Sequence, residues 1–429
     1  MSELPSSKLS RLWVGGGTAA RVGGKVMGYY AKRPFLGDEH RREAYDKMAE
    51  DSAKTMFQGL SLLKGTALKM AQQLSLEMDM FPEAVCHELA KAYHQVPPIN
   101  RALVRQLIQK ELGKPPEKVF SRFDTTAFAG ASLGQVHAAR NHDGTDLAVK
   151  IQYPGIAKTI DSDLSLLRQF LRPILQKDQL TIIVTELTER LHEEVDYRKE
   201  ADNLNFFARN LDVPKVCIPR VRPEWSTQTV LTTNRLPGLP LDAWLDHSPG
   251  QQAVDQVAQT LQDIFITGLY DLRVIHADPN PGNFIIADDL TVGLVDFGCI
   301  KKMDPAFTEH YRRLSSASAH QHYGAHYEEM ANLGMIPDNL EDSVKIQLQN
   351  ASDNACQWFG QLYAEDKFDF SANKSFIAQG KTSVAALQDL RRYVHVHPDL
   401  IFLDRTRYGL LRLFEKMGAR VDFRNTYEW

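Results

Sequence analysis

The run His276-Ala277-Asp278-Pro279-Asn280-Pro281-Gly282-Asn283-Phe284, with Asp296-Phe297-Gly298 beginning thirteen positions after Asn283, constrains this chain more than any other stretch. Two prolines fix φ within the first run, so the loop is stiff and holds Asp278 and Asn283 at a set separation. Asn283–Ala287 and Thr291–Val295 flank Asp288–Asp289 and read as a hairpin. Asp296 therefore stands at the end of a strand, directly before a turn. A carboxylate, an amide five positions further on and a second carboxylate across a hairpin form a set of hard oxygen donors. Such a set orients an acceptor hydroxyl or water and holds a divalent cation.

An Asp followed by four residues and an Asn is the spacing of the protein-kinase catalytic loop. In that reading Asp278 orients or deprotonates the acceptor, and Asn283 and Asp296 are the Mg²⁺ ligands. Upstream, Leu147-Ala148-Val149-Lys150-Ile151 alternates as a strand with one inward lysine, similar to the kinase strand whose lysine holds the α- and β-phosphates of ATP. Its partner would be an acid on the helical stretch Thr185–Asn210, where Glu193, Glu194 and Glu200 all qualify by composition. Where a kinase carries its Gly-rich flap, this chain has Ala129-Gly130-Ala131-Ser132-Leu133-Gly134-Gln135-Val136. Small side chains let backbone N–H groups approach phosphate, although alanine restricts the backbone more than glycine does. Taken alone, the segment would be a tight β-turn. His320, His322 and His326 lie close together, but no zincin pattern surrounds them, and a solvated helix is the simpler reading.

Together AGASLGQVH, VKIQYPG, HADPNPGNF and DFG resemble the UbiB (AarF) family of atypical kinases linked to ubiquinone biosynthesis. Ala67-Leu68-Lys69-Met70-Ala71-Gln72 is similar to that family's KxGQ motif, and Glu194-Val195-Asp196-Tyr197-Arg198-Lys199-Glu200 to its ExD motif and long-helix glutamate. The resemblance covers about residues 45–420. It implies an α+β, two-lobed protein-kinase-like fold with MgATP between the lobes and a helical N-terminal extension over the active site. It selects Glu200 as the partner of Lys150 and Asp278 as the catalytic aspartate. It makes Ala129, Gly130, Ala131, Ser132, Gly134, Gln135 and Lys150 the ATP-binding residues, with ATP and Mg²⁺ as cofactors. Lys69 and Gln72 become the contacts of the extension, with Glu194 and Asp196 as their neighbours. ATP hydrolysis is favoured over protein phosphorylation. The alternative is a lipid-binding module in which ATP is only a switch. Expected partners are the nucleotide, a lipid or quinone precursor, a membrane surface, and a second copy or a biosynthetic complex. Three departures stand out. Ala71 replaces the motif's glycine, Gly130 interrupts an alanine run, and no hydrophobic pair of segments follows Phe423.

The order of elements agrees with this reading. Residues 1–40 are expected as a flexible, basic, Gly-rich segment, 41–115 as the helical extension, 116–234 as an N-lobe and 235–429 as a helical C-lobe. A helix fits Arg101–Leu112, a β-rich stretch Ala127–Tyr153 with a turn at Asn141–Gly144, and short strands Lys215–Val221 and Thr227–Leu231. Net charge is −4 with pI about 6.4, so a global basic surface for nucleic acid is excluded. Cys86, Cys217, Cys299 and Cys356 form no CxxC pair, and a reducing compartment is the simplest expectation. No apolar run reaches the roughly 20 residues that span a bilayer. Lys8, Arg11, Arg21, Lys25, Lys32 and Arg33 face one acid, Glu3, among Trp13, Met27, Tyr29 and Tyr30, a pattern that suits an anionic membrane surface, a presequence or a disordered arm. The expected location is the cytoplasm with peripheral membrane contact, or the mitochondrion in a eukaryote.

Overall fold

A computed structural model describes residues 8–35, 37, parts of 40–55, 99–131, 133–172, 177–337, 339–390, 393–395 and 397–429. The residues divide into two compact units, Met1–Ala201 with Val221–Arg235, and Asp202–Arg220 with Leu236–Trp429.

In the first unit helix α1 spans Lys8–Lys32, so most of the segment expected to be flexible is helical. Its glycines disfavour a helix, but Thr18, Val22 and Val26 recur at steps of four and are buried. Packing of that stripe against α3 (Ile160–Leu171) outweighs propensity. Helix α2 (Arg101–Leu112) has the bounds that its periodicity predicts. The Asn100 side chain accepts from Ala102 N at its start, and Gly113 takes φ 74° just past its end. Strands β1 (Arg122–Ala131), β2 (Gly134–Arg140), β3 (Asp146–Gln152) and β5 (Val230–Asn234) form an antiparallel sheet in the order β1-β2-β3-β5.

The alternation of β3 decides where its lysine goes. Leu147, Val149 and Ile151 enter a core with Val104 and Ile108 of α2, Phe120 and Val230. With a side-chain period of two, Lys150 must emerge on the opposite face. Thr185–Asn210 is not one helix. It breaks at Val195–Asp196 into α4 (Lys177–Glu194) and α5 (Tyr197–Asn210), because the Asp196 carboxylate accepts Arg198 N at 3.1 Å and caps the new helix. The strand expected at Thr227–Leu231 starts at Val230, because Thr227 Oγ1 accepts the amides of Thr229 and Val230 at 3.2 Å and holds a turn.

In the second unit β4 (Val216–Cys217), β6 (Leu239–Pro240), β8 (Phe284–Ile286) and β9 (Val292–Leu294) form a sheet of order β4-β9-β8-β6, with β8 and β9 as the expected hairpin. Strand β4 is shorter than Lys215–Val221 because Lys215 takes φ 61° and Val221 turns to bridge Thr233 in the first unit's sheet segment. Helix α6 (Gln251–Thr267) runs into a π-helical turn, Gly268–Leu272, and Arg273 at φ 52° redirects the chain into β7 (Val274–His276). Strand β7 pairs antiparallel with β10 (Ile300–Lys302). The remainder is mainly helical, as expected: α7 (Pro305–Ala319), α8 (Tyr323–Asn332), α9 (Asp342–Gly360), α10 (Phe376–Asp389) and α11 (Pro398–Met417). Phe370, Phe376, Phe414 and Phe423 are fully buried around α11. Arg407 of α11 makes a two-pronged ion pair with Glu428 at 2.8 and 2.9 Å, and the hydroxyls of Tyr270 and Tyr363 donate to the same carboxylate at 2.6 Å. Burial raises both tyrosine pKa values well above the ordinary range, so both stay protonated donors.

Candidate functional site

The first unit pairs Lys150 with Glu200. Lys150 Nζ donates to both carboxylate oxygens, at 2.7 and 2.9 Å. The lysine side chain is 14% exposed and the glutamate 4%. The Tyr197 ring lies 5.1 Å from Nζ and gives the ammonium a second, weaker partner. Of the three acids left open by composition, Glu200 is the partner. Glu193 is exposed, and Glu194 is the last residue of α4.

The segment read as a phosphate flap is the hairpin between β1 and β2. Ala129 pairs with Val136, Gly130 with Gln135 and Ala131 with Gly134, so the ladder reaches the turn. Ser132 lies outside the described residues. Gly134 has a steric reason to be glycine, since a Cβ there would meet Ile151 O at 2.3 Å and Tyr197 Oη at 2.8 Å. Gly130 has none, because a Cβ there would meet nothing within 4 Å. Gln135 does not face the turn. It is buried and joins a chain of hydrogen bonds in which Ile99 N donates to Gln135 Oε1 at 2.8 Å. Gln135 Nε2 sits 2.8 Å from His137 Nε2, and His137 Nδ1 sits 2.9 Å from Asp124 O. The Asp124 carbonyl can only accept, so Nδ1 carries the proton and Nε2 accepts from Gln135. Burial lowers the His137 pKa, in keeping with a neutral ring. Lys69 and Gln72 lie outside the described residues, as does Ala71.

In the second unit the chain from β7 to β10 carries the other candidates. Asn283 Nδ2 donates to Asp278 Oδ2 at 3.0 Å and to the Asp278 carbonyl at 3.2 Å. This fixes the amide's orientation and leaves its Oδ1 as the acceptor for a cation. Val295 N donates to Asn283 O at 3.1 Å, which ties the loop to the strand that ends at Asp296. Asp296 Oδ1 accepts Gly298 N at 2.9 Å, and the His276 ring bonds the Asp296 carbonyl. Phe297 is fully buried. Its ring centroid lies 5.0 Å from that of Phe207 and 5.2 Å from that of His276, and Asn203 Nδ2 donates to its carbonyl at 3.0 Å. An anchored phenylalanine fixes the backbone on which Asp296 stands. Among the described residues no group of three or more His, Cys, Asp or Glu gathers as a metal cage. Magnesium on a nucleotide needs only one or two protein carboxylates, and the all-oxygen set of Asn283 and Asp296 suits it.

The sequence motifs assign no role to His276 or Asn203. Only His276 had a signal, two positions before Asp278. His326 departs from the solvated helix expected for its cluster. It is buried and bonds Ser352 Oγ through Nδ1 at 2.7 Å, while His320 stacks on Trp429.

An antiparallel sheet with a lysine–glutamate pair, an Asp-x4-Asn loop and a DFG segment define a protein-kinase-like, α+β fold. Residues 91–330, more than half of the chain, match the ABC1 atypical kinase-like domain. The chain belongs to that family. It is similar to the rat protein "Atypical kinase COQ8B, mitochondrial", 31% identical over 327 residues that cover 74% of this chain and 61% of the relative. To the Saccharomyces cerevisiae "Atypical kinase COQ8, mitochondrial" it is 28% identical over 350 residues, 80% of this chain and 69% of the relative. It covers 35% of an Arabidopsis thaliana relative, "Protein ACTIVITY OF BC1 COMPLEX KINASE 8, chloroplastic", at 33% identity. A solved Mycobacterium tuberculosis structure, described as the complex of Rv3197 with erythromycin, superposes with a TM-score of 0.63. The two chains are 25% identical, and the match covers 89% of this chain and 96% of that one.

Proposed function

We propose that this chain is an ATP-dependent atypical kinase or ATPase of the UbiB type that supports ubiquinone or other isoprenoid-lipid metabolism. One observation carries the reading: the ion pair of Lys150 and Glu200 is bidentate and almost wholly withdrawn from water. A buried salt bridge is weak evidence for stability, because desolvation offsets most of its attraction. A strand lysine held in place by a helix acid is, however, what phosphate positioning needs.

When bound, MgATP supplies the γ-phosphoryl group and the cation that neutralises its charge. Lys150, oriented by Glu200, binds the α- and β-phosphates. The backbone amides of Ala129, Gly130, Ala131 and Gly134 are assigned to the phosphates, and Ser132, outside the described residues, is assigned with them. Asn283 and Asp296 hold the metal. Asp278 receives the proton of the attacking water or hydroxyl, and Asn283 keeps that carboxylate aimed. Lys69, Gln72, Glu194 and Asp196 are assigned to control of access by the N-terminal extension. The names of the rat and yeast relatives support a mitochondrial setting. Among the described residues no helix is long and apolar enough to cross a membrane, so that contact is assigned to a surface.

The test follows γ-labelled ATP with purified protein and liposomes, in wild type and Asp278→Asn. Magnesium-dependent phosphate release or lipid labelling should fall about 10²–10⁴-fold in the variant with ATP binding kept. Nucleotide binding with equal phosphate release in both proteins would leave a lipid-binding module switched by ATP occupancy.

A further inference from the structure

The loop that carries Asp278 contains no Lys or Arg between His276 and Asn283. Protein kinases usually place an arginine directly before that aspartate, in the sequence His-Arg-Asp. Here the position is Ala277, which is fully buried. A guanidinium reaches it from far along the chain. Arg405 Nη2, on α11, donates to the Ala277 carbonyl at 3.0 Å and lies 3.7 Å from Cys299 Sγ. The Ala277 amide donates to the Cys299 carbonyl at 3.0 Å, and the Cys299 thiol approaches the Ala277 carbonyl at 3.8 Å. The peptide group that joins Ala277 to Asp278 is therefore held by Arg405, and the same cation touches the residue three places after Asp296.

Helix α11 meets this region at two further levels. In its first turn Asp399 pairs with Lys301 Nζ at 2.8 Å and accepts Asp304 N at 3.1 Å, just beyond β10. One turn past Arg405, Gly409 faces Pro279, and a Cβ at that position would lie 2.4 Å from Pro279 Cγ. A proline ring cannot rotate away as a flexible side chain does. Arg407, between the two, is locked to Glu428 and cannot let the helix turn about its axis.

We infer that Arg405 is the positioning residue of this site: it replaces in space the cation that the loop lacks in sequence, and with Gly409 it sets the backbone beneath Asp278. The inference rests on the function proposed above for the rate it affects. The geometry it asserts is measurable without any turnover.

The experiment compares full-length wild type with Arg405→Ala, Arg405→Lys, Gly409→Ala and, as a control on the exposed side of α11, Arg412→Ala. Each is read for MgATP affinity, kcat of phosphate release, melting temperature and amide hydrogen exchange. Arg405→Ala should lower kcat about 10–100-fold and leave MgATP affinity within about threefold, since the loop moves while the phosphate-binding lysine does not. Amides of 277–283 should exchange faster, and those of 147–152 should be unchanged. Arg405→Lys keeps one donor and should restore part of both effects. Gly409→Ala should lower kcat with no loss of the Arg405 contact, and Arg412→Ala should match wild type. Unchanged kcat with unchanged exchange in Arg405→Ala would overturn the inference. So would faster exchange throughout the second unit, because that marks a general structural role. If wild-type protein turns over no ATP, the proposed function fails, and exchange at 277–283 alone decides whether Arg405 positions the loop.

Discussion

Replacing Glu200 with Gln tests the first half-site with almost no change of shape. The substitution keeps one acceptor oxygen and removes the charge that faces the Lys150 ammonium at 2.7 and 2.9 Å. Breaking a buried pair from one side costs about 3–5 kcal/mol, because the remaining charge stays desolvated. Two features lower that figure here. Lys150 keeps 14% of its side-chain exposure, and the Tyr197 ring remains 5.1 Å from Nζ, a contact worth about 0.5–2 kcal/mol. The expected loss is then about 2–3 kcal/mol, read from urea unfolding followed by exchange within the first unit. Replacing Lys150 with Met should cost the same or less, because it leaves a carboxylate that can be protonated instead. The double variant should show a coupling of at least about 1 kcal/mol relative to the sum of the single changes. MgATP should stabilise the wild type and fail to stabilise Glu200→Gln to the same degree, since a single neutral acceptor holds the lysine less firmly in direction. A loss below about 0.5 kcal/mol with additive effects would mean that the pair is solvated like an ordinary surface bridge, and the argument from burial would fall.

Asp296→Asn should abolish magnesium-dependent stabilisation by ATP. At a hundredfold excess over Kd that stabilisation is about 2.7 kcal/mol, so a thermal shift retained in the variant would remove Asp296 from the metal set. His326 gives a pH test. Burial lowers its pKa from 6.5 to about 4, so the neutral ring is the stable form. Its contribution is complete above pH 6.5 and is lost as pH falls toward 4, a change of about 3 kcal/mol. His326→Gln should flatten that part of the unfolding profile, and an unchanged slope would exclude His326 as its source. On α1, Met27 is 74% exposed and Tyr30 53%, beside the exposed Lys32 and Arg33. Lys32→Glu with Arg33→Glu should weaken binding to anionic liposomes by about 1 kcal/mol per cation removed, and more weakly at high salt. Salt-insensitive binding would locate membrane contact elsewhere.

Local chemistry made much of this protein legible in its sequence. The Asp-x4-Asn loop is stiffened by its own prolines, and β8 and β9 are joined by their own turn, so both appear where residue order puts them. Helix α2 carries its start and stop signals at Asn100 and Gly113 and needed no partner to be bounded correctly. The same holds for the face of β3 on which Lys150 emerges, since alternation fixes it once Leu147, Val149 and Ile151 are inside.

Tertiary packing decided the rest. Composition left three acids for Lys150, and the choice of Glu200 depends on a helix start at Asp196 that the 3.6-residue pattern runs straight through. Gln135 reads as a phosphate-loop residue but turns inward, because His137 needs a donor and Ile99 an acceptor in the same buried space. Helix α1 contains glycines that argue against it, and the buried face of Thr18, Val22 and Val26 overrides them. Arg405 had no sequence signal, since nothing within its own segment relates it to Ala277. The two stand 128 positions apart, and only a folded chain brings a backbone carbonyl and a distant guanidinium within 3.0 Å. Sequence thus determined the groups that carry the chemistry, whose spacing is local, and the fold determined what holds them still, because those contacts are made between segments that sequence keeps apart.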